Sequence, residues 1–303
     1  MEIFLQQLIN GLTTGTLFAL VAIGYTMVYG IIELINFAHG DLFMLGAFLA
    51  LELATRMHLA AAGVAGAAGG VILIFLLCMG FSAAINFLQD RIIYRPLRNA
   101  PKLTPLVSAI GVSFVFMGIG QIWKGVADIN FPDIVPNRNL LGLEGLRFTA
   151  KDLLVILVTV PLMAGLTIFV RFTRLGKAMR ATAQNPVAAR LMGIDVDRVI
   201  GWTFAIGGLL AGAASVIYGL TINTVSFQMG YQNGLYAFTA AVLGGIGNLP
   251  GAMLGGIVIG LVRSLGSQYV GEQWTSALVF AILILLLVFR PSGLLGARTR
   301  EKV

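Results

Sequence analysis

LYAFTAAVLGGIGNLPGAMLGGIVIGLVRSL, residues 235–265, is apolar enough to enter a membrane but too interrupted to cross it as one regular helix. Its centre carries Gly244, Gly245, Gly247, Asn248, Pro250, Gly251, Gly255, Gly256 and Gly260. Gly and Pro release backbone groups from the helical ladder, and lipid cannot satisfy them, so the break must be sheltered by protein or line a cavity. The pattern predicts two short helices joined at 247–250, of re-entrant form. Gly247, Gly251 and Gly255 recur every four residues, as do Gly256 and Gly260, which places small residues where another backbone can approach closely. Ordinary helix packing accounts for that spacing by itself; the Gly-Asn-Leu-Pro run adds the alternative of a functional discontinuity.

The rest of the chain sets this segment in a membrane. Hydrophobic residues make up 58% of it and charged residues 11%, with a mean hydropathy of +0.91, as expected of a polypeptide solvated mainly by lipid. The 303 residues leave room for about eight crossings of about 20 residues each, and none for a large soluble domain. Apolar stretches fall near 5–30, 42–55, 60–88, 104–123, 152–170, 199–221, 235–265 and 273–289. The fold class is therefore an all-α membrane protein, one transmembrane unit over 1–303. The N-terminus carries Glu2 and no basic residue before its apolar run, and reads as a retained first helix.

The net charge of +7 is not that of a nucleic-acid binder, because fourteen of the 20 Lys and Arg lie in 89–103, 171–198 and 290–303, beside apolar spans. These segments are expected in the cytoplasm. Residues 124–150 mix acids, bases and two prolines, and should form a loop on the opposite side. Trp123, Trp202 and Trp274 fall at span ends, where an indole is half in lipid and half hydrated. Three full crossings after Arg198 would strand the tail outside, which is a second reason to expect that 235–265 does not cross simply.

Near the N-terminus, GIIELINFAHGDLFMLGAF (30–48) brings Glu33, Asn36, His39 and Asp41 within nine residues. A charge at the bilayer centre costs about 2.5–3.5 kcal/mol on insertion scales, so the cluster must sit at an interface, in a polar cavity, or paired. A short loop in which Asn36 or Asp41 caps the next helix is the plainer alternative. One His with one Asp supplies too few metal ligands, His58 lies across the next span, and Cys78 is the single cysteine. Two helix breaks, one in each half, fit transporters whose pathway runs between discontinuous helices. Asn36, His39, Asp41 and the segment from Gly244 to Gly251 are thus expected at the pathway or its gate. No nucleotide-binding loop, zinc-protease motif or hydrolase elbow occurs, so an enzyme is not expected.

RFTRLGKAMRATAQNPVAARLMGIDVDR, 171–198, is too polar to insert and too short to be a domain. It reads either as a solvated loop held against anionic headgroups or as a helix offered to a cytoplasmic partner. A helical run from Pro186 through Met192, stopped at Gly193, favours the second. Residues 187–193, with Ala188, Ala189, Arg190, Leu191 and Gly193, resemble the EAAxxxG loop by which permeases of ATP-binding-cassette (ABC) importers engage their ATPases. Arg180 and Pro186 belong to the same candidate coupling segment. Val187 stands where many such permeases have Glu, so the salt bridge of that Glu is not expected here.

The runs 24–48, 174–200, 237–261 and FRPSGLLG at 289–296 together resemble the branched-chain amino acid ABC permease family, and within it the LivH-type subunits. The resemblance implies an ABC importer permease in a bacterial inner membrane, pairing with a paralogous LivM-type permease, two cytoplasmic ABC ATPases and a periplasmic substrate-binding protein. It implies no cofactor in this chain, with ATP and Mg on the ATPases, and leucine, isoleucine or valine as substrate. Related permeases carry urea, short amides or other amino acids. A stand-alone ion-coupled carrier or channel, using Glu33, His39 and Asp41 as a relay, is the rival from another class.

Overall fold

The computed structural model describes residues 2–61, 64–98, 100–101, 103–140, 142 and 145–296, with the side chains of 64 and 65 left out. The described chain is almost wholly helical. Helix α1 (Glu2–Ile32) is followed by α2 (Ala38–Arg56), a 3-10 turn (Leu59–Ala61) and α3 (Val64–Gln89). A π-helical turn (Asp90–Tyr94) carries α3 directly into α4 (Arg95–Leu97). Helix α5 (Leu103–Lys124), strand β1 (Ile129–Asn130), α6 (Ala150–Phe172), α7 (Arg174–Gln184), α8 (Pro186–Leu191) and α9 (Val196–Ile222) come next. Strand β2 (Thr224–Val225), α10 (Met229–Gly244), α11 (Leu249–Tyr269) and α12 (Glu272–Phe289) complete the order. Eight helices among the described residues are long and apolar enough to cross a membrane.

Helix ends follow local chemistry. Thr149 and Asp152 form a reciprocal capping box at the start of α6. Asn185 accepts from the Val187 and Ala188 amides to open α8, with Pro186 in the first turn, and Asp195 opens α9 by accepting from the Arg198 amide.

Helices α1, α2 and α9 form the interior, each burying 72–78% of its most apolar window, whereas α3, α5 and α6 bury 22% and α12 11%. The outer helices leave Leu76, Phe114, Leu157 and Ile284 exposed, as a lipid-facing surface requires. Helix α11 is held between α1 and α10. A Cβ added at Gly256 would lie 2.4 Å from the Ala19 Cα, and one at Gly260 2.2 Å from the Gly15 Cα. The opposite glycines, Gly251 and Gly255, face the carbonyls of Gly244 and Ala240 on α10. The two four-residue glycine series thus serve two different neighbours, and Gly247 belongs to neither helix.

The two ends of the bundle are distinguished by their connections. At one end Gln6 exchanges hydrogen bonds with the Arg147 backbone, β1 pairs with β2, and Lys151 reaches Asp133 and Asn223. The Lys151 ammonium holds the Asp133 carboxyl below the usual carboxylate range. At the other end Arg95 and Arg98 pair with Asp197, and Leu294 and Leu295 bond to α10. The described parts of all three basic segments reach this second end, the one expected to be cytoplasmic from the distribution of Lys and Arg and called the cytoplasmic end below.

Three expectations need correction. The span placed near 60–88 does not stop there but runs on as helix through Leu97, into the basic stretch 89–103. Residues 235–265 do not hold two short re-entrant helices joined at 247–250: the joint is 245–248, and α11 is a 21-residue helix, about 31 Å long, enough to span. Its partner α10 begins at Met229, before the quoted segment, and traverses back to the cytoplasmic end. After Arg198, α9 and α11 run away from this end and α10 and α12 run back to it, so the tail returns to the same side as Arg198, although α10, at 16 residues, is not among the eight membrane-length helices. Finally, neither Asn36 nor Asp41 caps α2, whose N-cap Phe37 has no side-chain cap bond.

Candidate functional site: a polar-floored cleft and a coupled helix break

The cluster foreseen at 33–41 separates into distinct environments. Glu33 is exposed, at φ +54° in the bend after α1, while Asn36, His39 and Asp41 are buried. Asn36 accepts from Gln89 at 3.0 Å and from the Tyr94 hydroxyl at 2.9 Å, and donates to Asn86 at 3.4 Å. Asn86 in turn donates to the Phe204 carbonyl at 2.6 Å. This polar knot ties the bend between α1 and α2 to α3 and α9. The π turn supplies its geometry, since the extra residue per turn rotates Tyr94 inward while Asp90 meets Arg98 through both carboxylate oxygens, at 2.7 and 2.9 Å.

His39 packs edge-on to Tyr25, with ring centroids 4.8 Å apart, and neither ring nitrogen meets hydrogen-bond geometry among the described residues. The Tyr25 hydroxyl accepts from the Gly40 amide at 3.1 Å. Asp41 accepts a hydrogen bond from Ser113 of α5, and its other oxygen has no partner among the described residues. Gly230 and Gly234 of α10 close on Gly40 and Asp41 so tightly that a Cβ at either position would lie under 3 Å from backbone atoms.

Above this floor opens a cleft of about 280 Å³ between α5 and α10. Phe37, Ile110, Phe114, Met117, Tyr231 and Leu235 make its walls, and Tyr25 and Ser113 reach it with hydroxyls. An apolar cleft with a few convergent polar groups is the usual form of a small-molecule site. It suits a molecule with an aliphatic body and a polar end. Among the described residues no three His, Cys, Asp or Glu side chains converge as a metal would need.

The glycine break lies elsewhere. Gly245 has φ +103°, which favours glycine, and it approaches the tail so closely that a Cβ there would meet the Gly296 amide nitrogen at 2.5 Å. The last carbonyls of α10, Leu243 and Gly244, accept from the Leu294 and Leu295 amides at 2.9 and 3.0 Å, and Asn248 donates to the Leu295 carbonyl at 2.6 Å. The tail motif at 289–296 thus satisfies the groups the break releases. Asn248 also caps α11 by accepting from the Gly251 amide, with Pro250 in the first turn. Gly247 and Leu249 share a small cavity of about 80 Å³ with Gly30 of α1 and with Met179, Arg180 and Ala183 of α7. The structure therefore joins the break to the 171–198 segment, not to the Asp41 cleft.

Within that segment Arg180 caps α6, donating to the Val170 and Arg171 carbonyls at 2.6 and 2.9 Å. Ala189 is buried among Val28, Tyr94, Val196, Ile200 and Phe204. Val187, Leu191 and Met192 are exposed, as are Ala188 and Arg190, and Gly193 ends the turn at φ +81°. Sequence reasoning missed Tyr25, Ser113, Gln89, Tyr94 and the tail residues 293–296. Only the tail had a visible signal, its two glycines after a proline.

Eight membrane-length helices, a polar-floored cleft and a helical basic segment packed against a helix break define a polytopic permease. The chain matches the family described as branched-chain amino acid transport system / permease component over residues 7–288, and it belongs to that family. It is 40% identical to the high-affinity branched-chain amino acid transport system permease protein BraD of Pseudomonas aeruginosa, over 99% of this chain and 98% of the relative. The corresponding LivH protein of Escherichia coli K12 is also 40% identical, over 99% and 98%. A probable LivH permease of Methanocaldococcus jannaschii is 26% identical over 93% and 89%. No solved structure matches the chain.

Proposed function

We propose that this chain is one of two permease subunits in an ATP-driven importer of the bacterial inner membrane that carries leucine, isoleucine and valine. The cleft between α5 and α10 carries the reading: its walls are aliphatic and aromatic, and its polar groups, the Tyr25 and Ser113 hydroxyls, gather at one floor, with the buried Asp41 carboxyl behind Ser113. A branched side chain lies against the walls while the amino acid's charged end meets the floor. The pairing permease closes the open side of the cleft. A periplasmic binding protein delivers substrate at the end carrying the 124–150 loop.

ATP and Mg reside on two cytoplasmic ATPases, which engage α8 through Val187, Leu191 and Met192. Closure of the ATPases moves α7 and α8. Because Arg180 and Ala183 face Gly247 and Gly30, that motion reaches α1 and the joint between α10 and α11, and so tilts α10 against the cleft. Asn36, His39 and Asp41 line or floor the pathway, whereas Gly244 to Gly251 act as the hinge that transmits motion to it.

Uptake of labelled leucine, isoleucine and valine into cells lacking this chain, with and without its restoration, tests the substrate. Restored uptake blocked by unlabelled branched-chain amino acids and not by urea or short amides is the expected result. Uptake by the purified chain alone, driven by an ion gradient without ATPases, would overturn the importer reading.

A further inference from the structure

At the cytoplasmic end, between α3 and α9, lies a second cavity, of about 540 Å³. It is lined by Arg91 and Arg95 from the π turn and α4, by Arg198 from the first turn of α9, and by Phe87 and Trp202 on its apolar rim. Carboxylates line it too, but they are already engaged. Asp90 receives two bonds from Arg98, Asp197 pairs with Arg98 and Arg95, and Asp195 caps α9 and pairs with Arg198 at 3.0 Å. The lining carries three arginines against three aspartates, and Arg98, behind the wall and paired with Asp90 and Asp197, leaves the cluster one positive charge in excess. Arg91 makes no hydrogen bond or ion pair among the described residues, and the Arg95 and Arg198 side chains remain 51% and 82% exposed.

The rim argues for a lipid. Phe87 and Trp202 pack with centroids 6.1 Å apart, Trp202 is half-exposed at a span end, and Ile92 beside Arg91 is 68% exposed. An indole there marks the boundary between acyl chains and headgroups. A monoanionic phosphodiester would balance the excess charge and accept hydrogen bonds from guanidinium groups of both helices. We propose that this cavity binds the phosphodiester headgroup of an anionic phospholipid, with its acyl chains leaving past Phe87 and Trp202. The lipid bridges the π turn of α3 to the start of α9, directly after the 171–198 segment. This site stands independently of the substrate reading.

Native mass spectrometry of the full chain, extracted with its membrane partners, tests the site using phosphatidylglycerol and phosphatidylcholine as probes. Retention of phosphatidylglycerol over phosphatidylcholine is expected, weakened about fivefold by each of Arg91→Gln and Arg198→Gln, the attraction of one basic side chain to an anionic surface. Arg171→Gln, outside the cavity, should retain lipid as the parent does. Equal retention in the cavity variants and the parent would overturn the proposal. So would displacement of the lipid by inorganic phosphate, which would make free phosphate the ligand. The exposed Arg198 variant supports the test should Arg91→Gln reduce recovery of the protein.

Discussion

Asp41 is held in a membrane helix by one hydroxyl. Ser113 donates to one of its oxygens, the other is unpartnered among the described residues, and Gly40, Gly230 and Gly234 bring backbone against it on two sides. An ionisable group kept in such a place is a functional one by default. Two variants separate its roles. Ser113→Ala strips the carboxyl of its donor and should cost about 1–3 kcal/mol of stability, read as a lower thermal midpoint of the purified complex. Asp41→Asn keeps the shape and can still accept from Ser113, so the complex should assemble normally while leucine uptake falls by about tenfold or more, the scale of one lost charge-assisted contact. Unchanged uptake in Asp41→Asn would remove this carboxyl from the pathway. The presence of Asn36, His39 and Asp41 in an apolar context was legible from the cost of burying them. Their separate partners were not, because Tyr25, Ser113, Gln89 and Tyr94 come from other helices and are unremarkable in sequence.

At the scale of elements, α11 is the helix whose sequence most constrains its neighbours. Gly256 and Gly260 meet Ala19 and Gly15 of α1 at distances no side chain can occupy, while Gly251 and Gly255 meet α10. In lipid such contacts, not hydrophobic exclusion, hold helices together. Gly256→Leu should force α1 and α11 apart, costing more than the about 1–3 kcal/mol of an ordinary overpacked core and lowering recovery of folded protein. Gly69→Leu, where a Cβ meets nothing within 4 Å, should be tolerated. Comparable recovery of the two variants would show that the α1–α11 crossing is not tight. The glycine spacing was readable because small residues at four-residue intervals have few other uses in a membrane. The position of the joint was not. It depends on the tail amides of Leu294 and Leu295 satisfying the carbonyls of Leu243 and Gly244, some fifty residues away in sequence. The π turn was hidden too, because Arg91, Arg95 and Arg98 gave helical residues the composition of a loop.

For the whole molecule, the proposed importer requires that a force applied at α8 reach the cleft beside Ser113 and Asp41. Two routes leave the coupling segment. Ala189 is buried in the same apolar cluster as Val28, Tyr94 and Phe204, and Tyr94 holds Asn36 at the entrance to α2. Arg180 and Ala183 face Gly30 and Gly247, and the joint there passes directly into α10, one wall of the cleft. Both routes run through packed or hydrogen-bonded contacts, so they move as bodies and not by local yielding. The surface that receives the force should be separable from the contacts that transmit it. Leu191→Asp with Met192→Asp alters side chains that are 84% and 82% exposed, so the chain should fold and insert normally. If these residues anchor the ATPases, losing two exposed apolar anchors should weaken co-purification by about thirtyfold, the 2 kcal/mol typical of a dominant interface residue. Ala189→Asp, by contrast, buries a charge among apolar neighbours and should lower the recovery of the permease itself. Full ATPase recovery with the doubly substituted chain would place the docking surface elsewhere on the cytoplasmic end, and equal loss of folded protein in both cases would mean that α8 serves the fold alone.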